Sequence, residues 1–202
     1  MPIEAGDALG RALLTLARNA IGERFGRPPR PVEALPRLDE RGAVFVTLSK
    51  DGALRGCIGS LEAWRPLRED VGANAVAAAF GDPRFPPLTA GEFAGCDGSD
   101  GGKDVGRVRI EVSLLGDAEP IKSGGEDLDE ATAIARLRPR IDGVILSHGG
   151  RRATFLPQVW DTLPEPERFM AQLKMKAGLP PDFWDERIRL ARYEVRKWKE
   201  TS

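Results

Sequence analysis

An α+β fold built on mainly antiparallel sheet follows from three observations. Segments of helical period are interspersed with segments that alternate apolar and polar residues, and two strand pairs are joined by short glycine-containing turns. No internal repeat of fixed period runs along the chain.

The first helix runs from Asp7 to about Phe25, where Leu9, Ala12, Leu13, Leu16, Ala20 and Ile21 fall on one stripe and Gly26 supplies the stop. Arg27 to Pro36, rich in proline and arginine, reads as an extended surface connection. Val44 to Leu48 has strong β propensity, Lys50-Asp51-Gly52 offers a tight reversal, and Leu54 to Ile58 returns as the second strand of a hairpin. On that strand Arg55 and Cys57 are expected on one face, Gly56 and Ile58 on the other. Pro66 suits a first helical turn, and Leu67, Val71, Ala75, Ala78 and Ala79 recur at helical spacing up to Phe80. Asp82-Pro83-Arg84-Phe85-Pro86-Pro87 cannot continue that helix and must run rigid and extended.

Cys96 to Gly106, rich in glycine, aspartate and serine, reads as a mobile surface loop with no function expected. Val108, Ile110, Val112 and Leu114 alternate with Arg109, Glu111 and Ser113, the pattern of a strand with one buried face. A helix is expected over Asp127 to Arg138. Gly143 to Ser147 and Ala153 to Leu156 follow as a hairpin turned by Gly149-Gly150. Glu165 to Ala177 reads as a further helix capped by Gly178, and Ile188 to Trp198 as one additional strand.

At 202 residues the chain has the length of one cooperative domain, residues 1–202. Lysine and arginine (30) nearly balance aspartate and glutamate (31), a net charge of −1, so no global positive field recruits nucleic acid or an anionic membrane. A nucleic-acid-associated role is therefore a minor alternative, confined to a local patch. No stretch approaches the roughly 18 uninterrupted apolar residues of a membrane-spanning helix, and Glu4 and Asp7 stand where a signal peptide would be basic and apolar. A cytoplasmic location is the resulting default. Cys57 and Cys96, neither in a paired motif, give no disulfide framework, and a single histidine gives no metal-ligand spacing. No cofactor is expected.

Leu54-Arg55-Gly56-Cys57-Ile58-Gly59 is the stretch with most chemical content. Glycines weaken a strand interior, so Gly56 and Gly59 mark a bulge or the close approach of another segment or a ligand. Cys57 reads either as a nucleophile whose thiolate Arg55 favours, or as a small buried hydrophobe between glycines. Arg84, pre-set by its flanking prolines, is either a clamp for a small anionic ligand or half of an internal ion pair, with Asp82 as a cap. Glu111 is a cleft carboxylate or the internal partner of such an arginine. His148 reads as an exposed turn histidine, and Gly149-Gly150-Arg151-Arg152 as a hairpin tip.

Taken in order, Leu54-Arg55-Gly56-Cys57-Ile58-Gly59, Arg65-Pro66-Leu67, Asp82-Pro83-Arg84-Phe85-Pro86-Pro87, Glu111-Val112-Ser113 and Leu156-Pro157-Gln158-Val159 resemble the AMME chromosomal region (AMMECR) domain family over about residues 8 to 198. That family's bacterial and archaeal members include a component of the AmmeMemoRadiSam system. The resemblance implies a larger and a smaller lobe about a cleft, with the hexapeptide as the suspected functional element. It also implies two companions, a Memo-type protein similar to non-haem dioxygenases and a radical S-adenosylmethionine protein. On this resemblance Arg55, Gly56, Gly59, Arg84, Glu111 and Gln158 are candidate substrate-binding residues and Cys57 the candidate catalytic one. Cys96, in a loop that departs from the family pattern, inherits no role.

Overall fold

The structure, a computed structural model, describes residues 7–94, 107–121 and 129–200. The whole loop expected to be mobile, Cys96 to Gly106, lies outside them. In chain order the elements are α1 (Ala8–Glu23), β1 (Arg41–Gly42), β2 (Val44–Lys50), β3 (Ala53–Gly59), β4 (Arg65–Pro66), α2 (Leu67–Phe80) and α3 (Ala90–Ala94). They continue with β5 (Val108–Leu115), β6 (Glu119–Pro120), α4 (Glu130–Ala135), β7 (Gly143–His148), β8 (Arg151–Phe155), α5 (Pro166–Lys176), β9 (Arg189–Tyr193) and β10 (Val195–Lys199). Short 3₁₀ turns cover Pro36–Leu38 and Pro157–Asp161. The fold is α+β with antiparallel sheets, and the chain divides into two compact units: Met1–Leu115 with Arg196–Ser202, and Gly116–Val195.

The first unit carries a sheet in the order β10-β5-β2-β3. Alternation along β2 and β5 sends Val44, Val46, Leu48, Ile110 and Val112 into a core shared with Leu13 and Ile21 of α1, Val71 and Ala75 of α2, and Trp198. Asp7 caps α1 by accepting the Leu9 N–H at 3.0 Å. The β2–β3 turn places Asp51 (φ 50°) and Gly52 (φ 81°) in the left-handed region, the conformation of a tight hairpin reversal. Pairing then slips: Leu48 faces Gly56 but Ser49 faces Leu54, so Arg55 is the extra residue of a β-bulge.

The second unit carries a sheet in the order β6-β9-β7-β8. Its core stacks Trp160 on Phe169, ring centroids 3.7 Å apart, beside Val144, Leu146, Leu173 and Leu190. The Trp160 indole donates to the Asp142 carbonyl at 2.7 Å, and the fully buried Asp142 carboxylate accepts from Arg138 at 2.6 Å. α4 is shorter than the expected helix: Asp129 caps it through the Thr132 N–H at 2.7 Å, and the stretch just before lies outside the described residues.

One expectation is corrected outright. Ile188 to Trp198 is not one strand but two, β9 pairing with β7 in the second sheet and β10 with β5 in the first. Burial does not alternate through the segment: Leu190, Tyr193 and Trp198 are buried at intervals of three and then five, because the chain leaves one sheet for the other at Glu194. The parity shared by Tyr193 and Val195 spans that junction and so could not distinguish one strand from two.

Candidate functional site

Because Val46 and Leu48 face the helices, Thr47 faces the opposite side of the first sheet. Cross-strand pairing sets Cys57 on one flank of Thr47 and Glu111 on the other, so thiol, hydroxyl and carboxylate form a row across β3, β2 and β5. Cys57 is a free, half-buried thiol, and the Thr47 hydroxyl lies 3.3 Å from its sulfur. Glu111 is half-buried, and its side-chain carboxylate makes no hydrogen bond or ion pair among the described residues.

β3 is an edge strand, and its outer edge at Cys57 is closed by side chains. Asp82, 2 % exposed at its side chain, accepts the Cys57 N–H at 2.9 Å, while the Arg84 guanidinium donates to the Cys57 carbonyl at 3.2 Å. Arg84 also grips Asp82 at 2.7 and 2.9 Å, and the Asp82 carboxylate accepts the Arg84 N–H at 3.1 Å, the short-range turn that Pro83 favours. The Asp82–Arg84 pair thus offers one acceptor and one donor to a single peptide, as a neighbouring strand would. Hydrogen bonds from the Arg84 guanidinium, then from the Cys57 amide, hold the Asp82 carboxyl well below the usual carboxylate range against the opposing effect of burial. Of the two readings of Arg84, the internal ion pair is the one present.

Arg55 is occupied as well. Its side chain, 11 % exposed, donates to Glu92 at 3.0 and 3.2 Å, and Lys50 meets the same carboxylate at 3.2 Å. Glu92 also closes a capping box with Thr89, accepting the Thr89 N–H at 3.1 Å while its own N–H donates to the Thr89 hydroxyl. The Arg55 hydrogen bonds lead in lowering the Glu92 pKa to about 2, opposed by burial. The bulge therefore sends Arg55 to α3, and the arginine tied to Cys57 is Arg84.

Both glycines of the hexapeptide mark close approaches. A Cβ on Gly56 would overlap the Ala78 carbonyl oxygen in the backbone of α2, and one on Gly59 would overlap the Phe45 ring. Beyond Gly59, Ser60 enters a node around Asp70, which is fully buried on α2. Asp70 accepts from the Val44 N–H (2.8 Å), the Ser60 hydroxyl (2.7 Å), Arg65 Nε (2.7 Å) and Asn74 (3.0 Å). This node fixes the far end of β3 to α2, as the Asp82–Arg84 pair fixes its middle.

Gln158 belongs to the second unit, exposed in the turn Pro157–Asp161. His148, also in that unit, is half-buried at the end of β7, with Nε2 3.6 Å from Asp185 and its ring edge-on to Phe183. It is held among neighbours rather than exposed on the turn. Thr47, Asp70, Asn74 and Glu92 went unmarked in the sequence. Asp70 and Asn74 do sit four residues apart on the face of α2 that buries Leu67, Val71 and Ala75, and polar residues on an apolar stripe were the available signal. Among the described residues no cluster of three or more histidine, cysteine or acidic side chains could hold a metal ion, and no helix is long and apolar enough to cross a membrane.

Comparison with known proteins gives a consistent result. The AMMECR1 family model matches residues 14–198. A protein of Methanothermobacter thermautotrophicus is 38% identical over 200 residues, spanning 95% of this chain and 94% of its own length. Protein SSO0193 of Saccharolobus solfataricus is 35% identical over 212 residues, spanning 98% and 84%. Among solved structures, that of the uncharacterized protein PH0010 from Pyrococcus horikoshii superposes with a TM-score of 0.74 at 33% identity, covering 96% of this chain and 92% of the other.

Proposed function

This chain belongs to the AMMECR1 family, and on that premise we propose that it is an accessory, substrate-binding component that acts beside a Memo-type protein and a radical S-adenosylmethionine protein. The observation that carries this reading is the row of Cys57, Thr47 and Glu111 on the sheet face turned away from the helices, with Arg55 and Arg84 already paired to Glu92 and Asp82. A site in which Arg55 and Arg84 are committed to holding the strand is suited to binding and presenting a ligand through hydrogen bonds. Glu111 supplies the uncommitted carboxylate of that row. Purified Memo-type and radical S-adenosylmethionine proteins are expected to retain this chain on co-purification and to change turnover when it is added. Glu111→Lys should weaken both effects at least about tenfold, the loss of one good charged contact. Absence of both retention and any influence on turnover overturns the reading.

A second reading, a thiol-dependent enzyme acting through Cys57, is favoured by one observation: the sulfur is half-buried rather than sealed in the core. Nucleophilic use requires an activated thiolate. Alkylation by a small neutral reagent should then run faster at Cys57 in the folded chain than in the urea-unfolded one, with Cys96 replaced by serine so that one thiol is counted. An equal or slower rate removes this reading and leaves the first intact.

A further inference from the structure

The segment Arg27-Pro28-Pro29-Arg30-Pro31 takes no part in the site around Cys57, yet the structure holds it out in a defined way. Ring closure fixes φ near −65° at three of its five positions, and a following proline pushes Arg27, Pro28 and Arg30 toward extended ψ. Local sterics alone therefore write a polyproline II strand, and the described structure gives the segment neither helix, strand nor turn. Asn19 of α1 pins it: the side-chain amide donates to the Arg30 carbonyl at 2.8 Å and its oxygen accepts the Arg30 N–H at 2.9 Å.

Three residues per turn sort the segment into three ridges. Arg27 lies on the first, its guanidinium stacked 5.2 Å from the Phe93 ring centroid, and Val32 on the second, packed against the core. Pro28 and Pro31 form the remaining ridge, and both are exposed. Arg30, one turn on from Arg27 on the first ridge, is exposed, as is Pro29 on the second, and the Arg30 side chain has no ion pair among the described residues. Three prolines lack an N–H and the Arg30 N–H is taken, so the segment has no donors with which to extend a sheet.

We propose that Pro28 to Pro31 is a docking strip for a partner protein that reads a polyproline II strand: a groove of parallel aromatic rings for Pro28 and Pro31, with a carboxylate on its rim for Arg30. The proline-x-x-proline spacing supplies the two ring-sized contacts, the pinned backbone removes most of the ordering cost, and the exposed guanidinium supplies orientation. The inference is independent of the function assigned to Cys57.

The test titrates the full chain into a ¹⁵N-labelled SH3 domain of known proline-x-x-proline specificity and, separately, into a WW domain. Shifts confined to the aromatic groove of at least one probe are expected, with a Kd between about 10 μM and 1 mM. Pro28→Ala combined with Pro31→Ala should weaken binding at least tenfold, Arg30→Glu by about tenfold, and Pro29→Ala by no more than twofold. Circular dichroism confirms that each variant is folded. No shift in either probe at about 1 mM chain, or an unchanged affinity in the double variant, overturns the proposal.

Discussion

The two sheets end on comparable hairpins, and the way each outer strand is finished separates the two units. β3 is closed by a carboxylate and a guanidinium that together satisfy the N–H and the C=O of one residue, Cys57. β8, the edge of the second sheet, is met by a lysine: Lys176 Nζ donates to the Thr154 carbonyl at 2.9 Å. Both devices discourage pairing with another chain. Only the first also fixes where a thiol stands, because the peptide it grips is that of Cys57. The hairpin glycines differ in the same way: Gly56 is pressed against helix backbone, whereas Gly150 (φ 80°) has open space around it.

The largest expected effect breaks the comparison at those glycines. Gly56→Ala sets a methyl against the Ala78 carbonyl, and since backbone cannot rotate aside as a side chain does, β3 must lift from α2 at a cost of about 3 kcal/mol. Gly150→Ala meets no neighbour and pays only for a left-handed backbone, about 1 kcal/mol. Urea unfolding of both variants checks the order, and a smaller loss for Gly56→Ala contradicts the close approach described for β3.

Next in size is removal of the edge closures. Asp82→Ala strips the Cys57 N–H of its acceptor and leaves the Arg84 guanidinium without its partner, so the Cys57 amide should exchange with solvent at least about tenfold faster. Lys176→Met exposes one carbonyl that water can serve, and exchange along β8 should change less than about threefold. Equal effects at the two edges would show that Asp82 and Arg84 do no more for β3 than one lysine does for β8.

Much of this was legible in the sequence where the governing forces are local. The boundaries of α2 follow from Pro66, an alanine-rich stripe and the Gly81-Asp82-Pro83 stop, all decided within a few residues. The β2–β3 hairpin follows from Asp51-Gly52, which tolerate the left-handed backbone that the turn demands. What was hidden depends on contacts far apart in the chain. Arg55 and Glu92 are 37 positions apart, and no spacing rule joins them. For Arg84 the sequence offered two equal readings, and only the geometry of Asp82 against the β3 edge chose between them. The Cys57, Thr47 and Glu111 row needs the register of three strands at once, including the bulge at Arg55 that displaces one pairing and not the next.

The smallest effect is confined to acid and separates the two units by the company their carboxylates keep. In the first unit Arg55 lowers the Glu92 pKa to about 2, so the carboxylate is more acidic folded than unfolded, where it titrates near 4.5. A depressed pKa stabilises fully above the unfolded value and less and less as pH falls toward the folded one. The contribution of Glu92 is therefore complete at neutral pH and lost between about pH 4.5 and pH 2. In the second unit Asp185 is lowered in the same direction by Arg187, but that guanidinium is 71% exposed and solvent screens the pair. Glu92→Gln should flatten the fall in stability between pH 5 and pH 3, by up to one proton's worth of slope or about 1.4 kcal/mol per pH unit, while Asp185→Asn should leave the curve nearly parallel to that of the unaltered chain. Urea midpoints taken at half-unit steps of pH read the difference directly. A wild-type slope in Glu92→Gln would mean that Arg55 finds in folding no more than it finds in the unfolded chain, and the bulge that delivers it to α3 would then be a consequence of Gly56 packing alone.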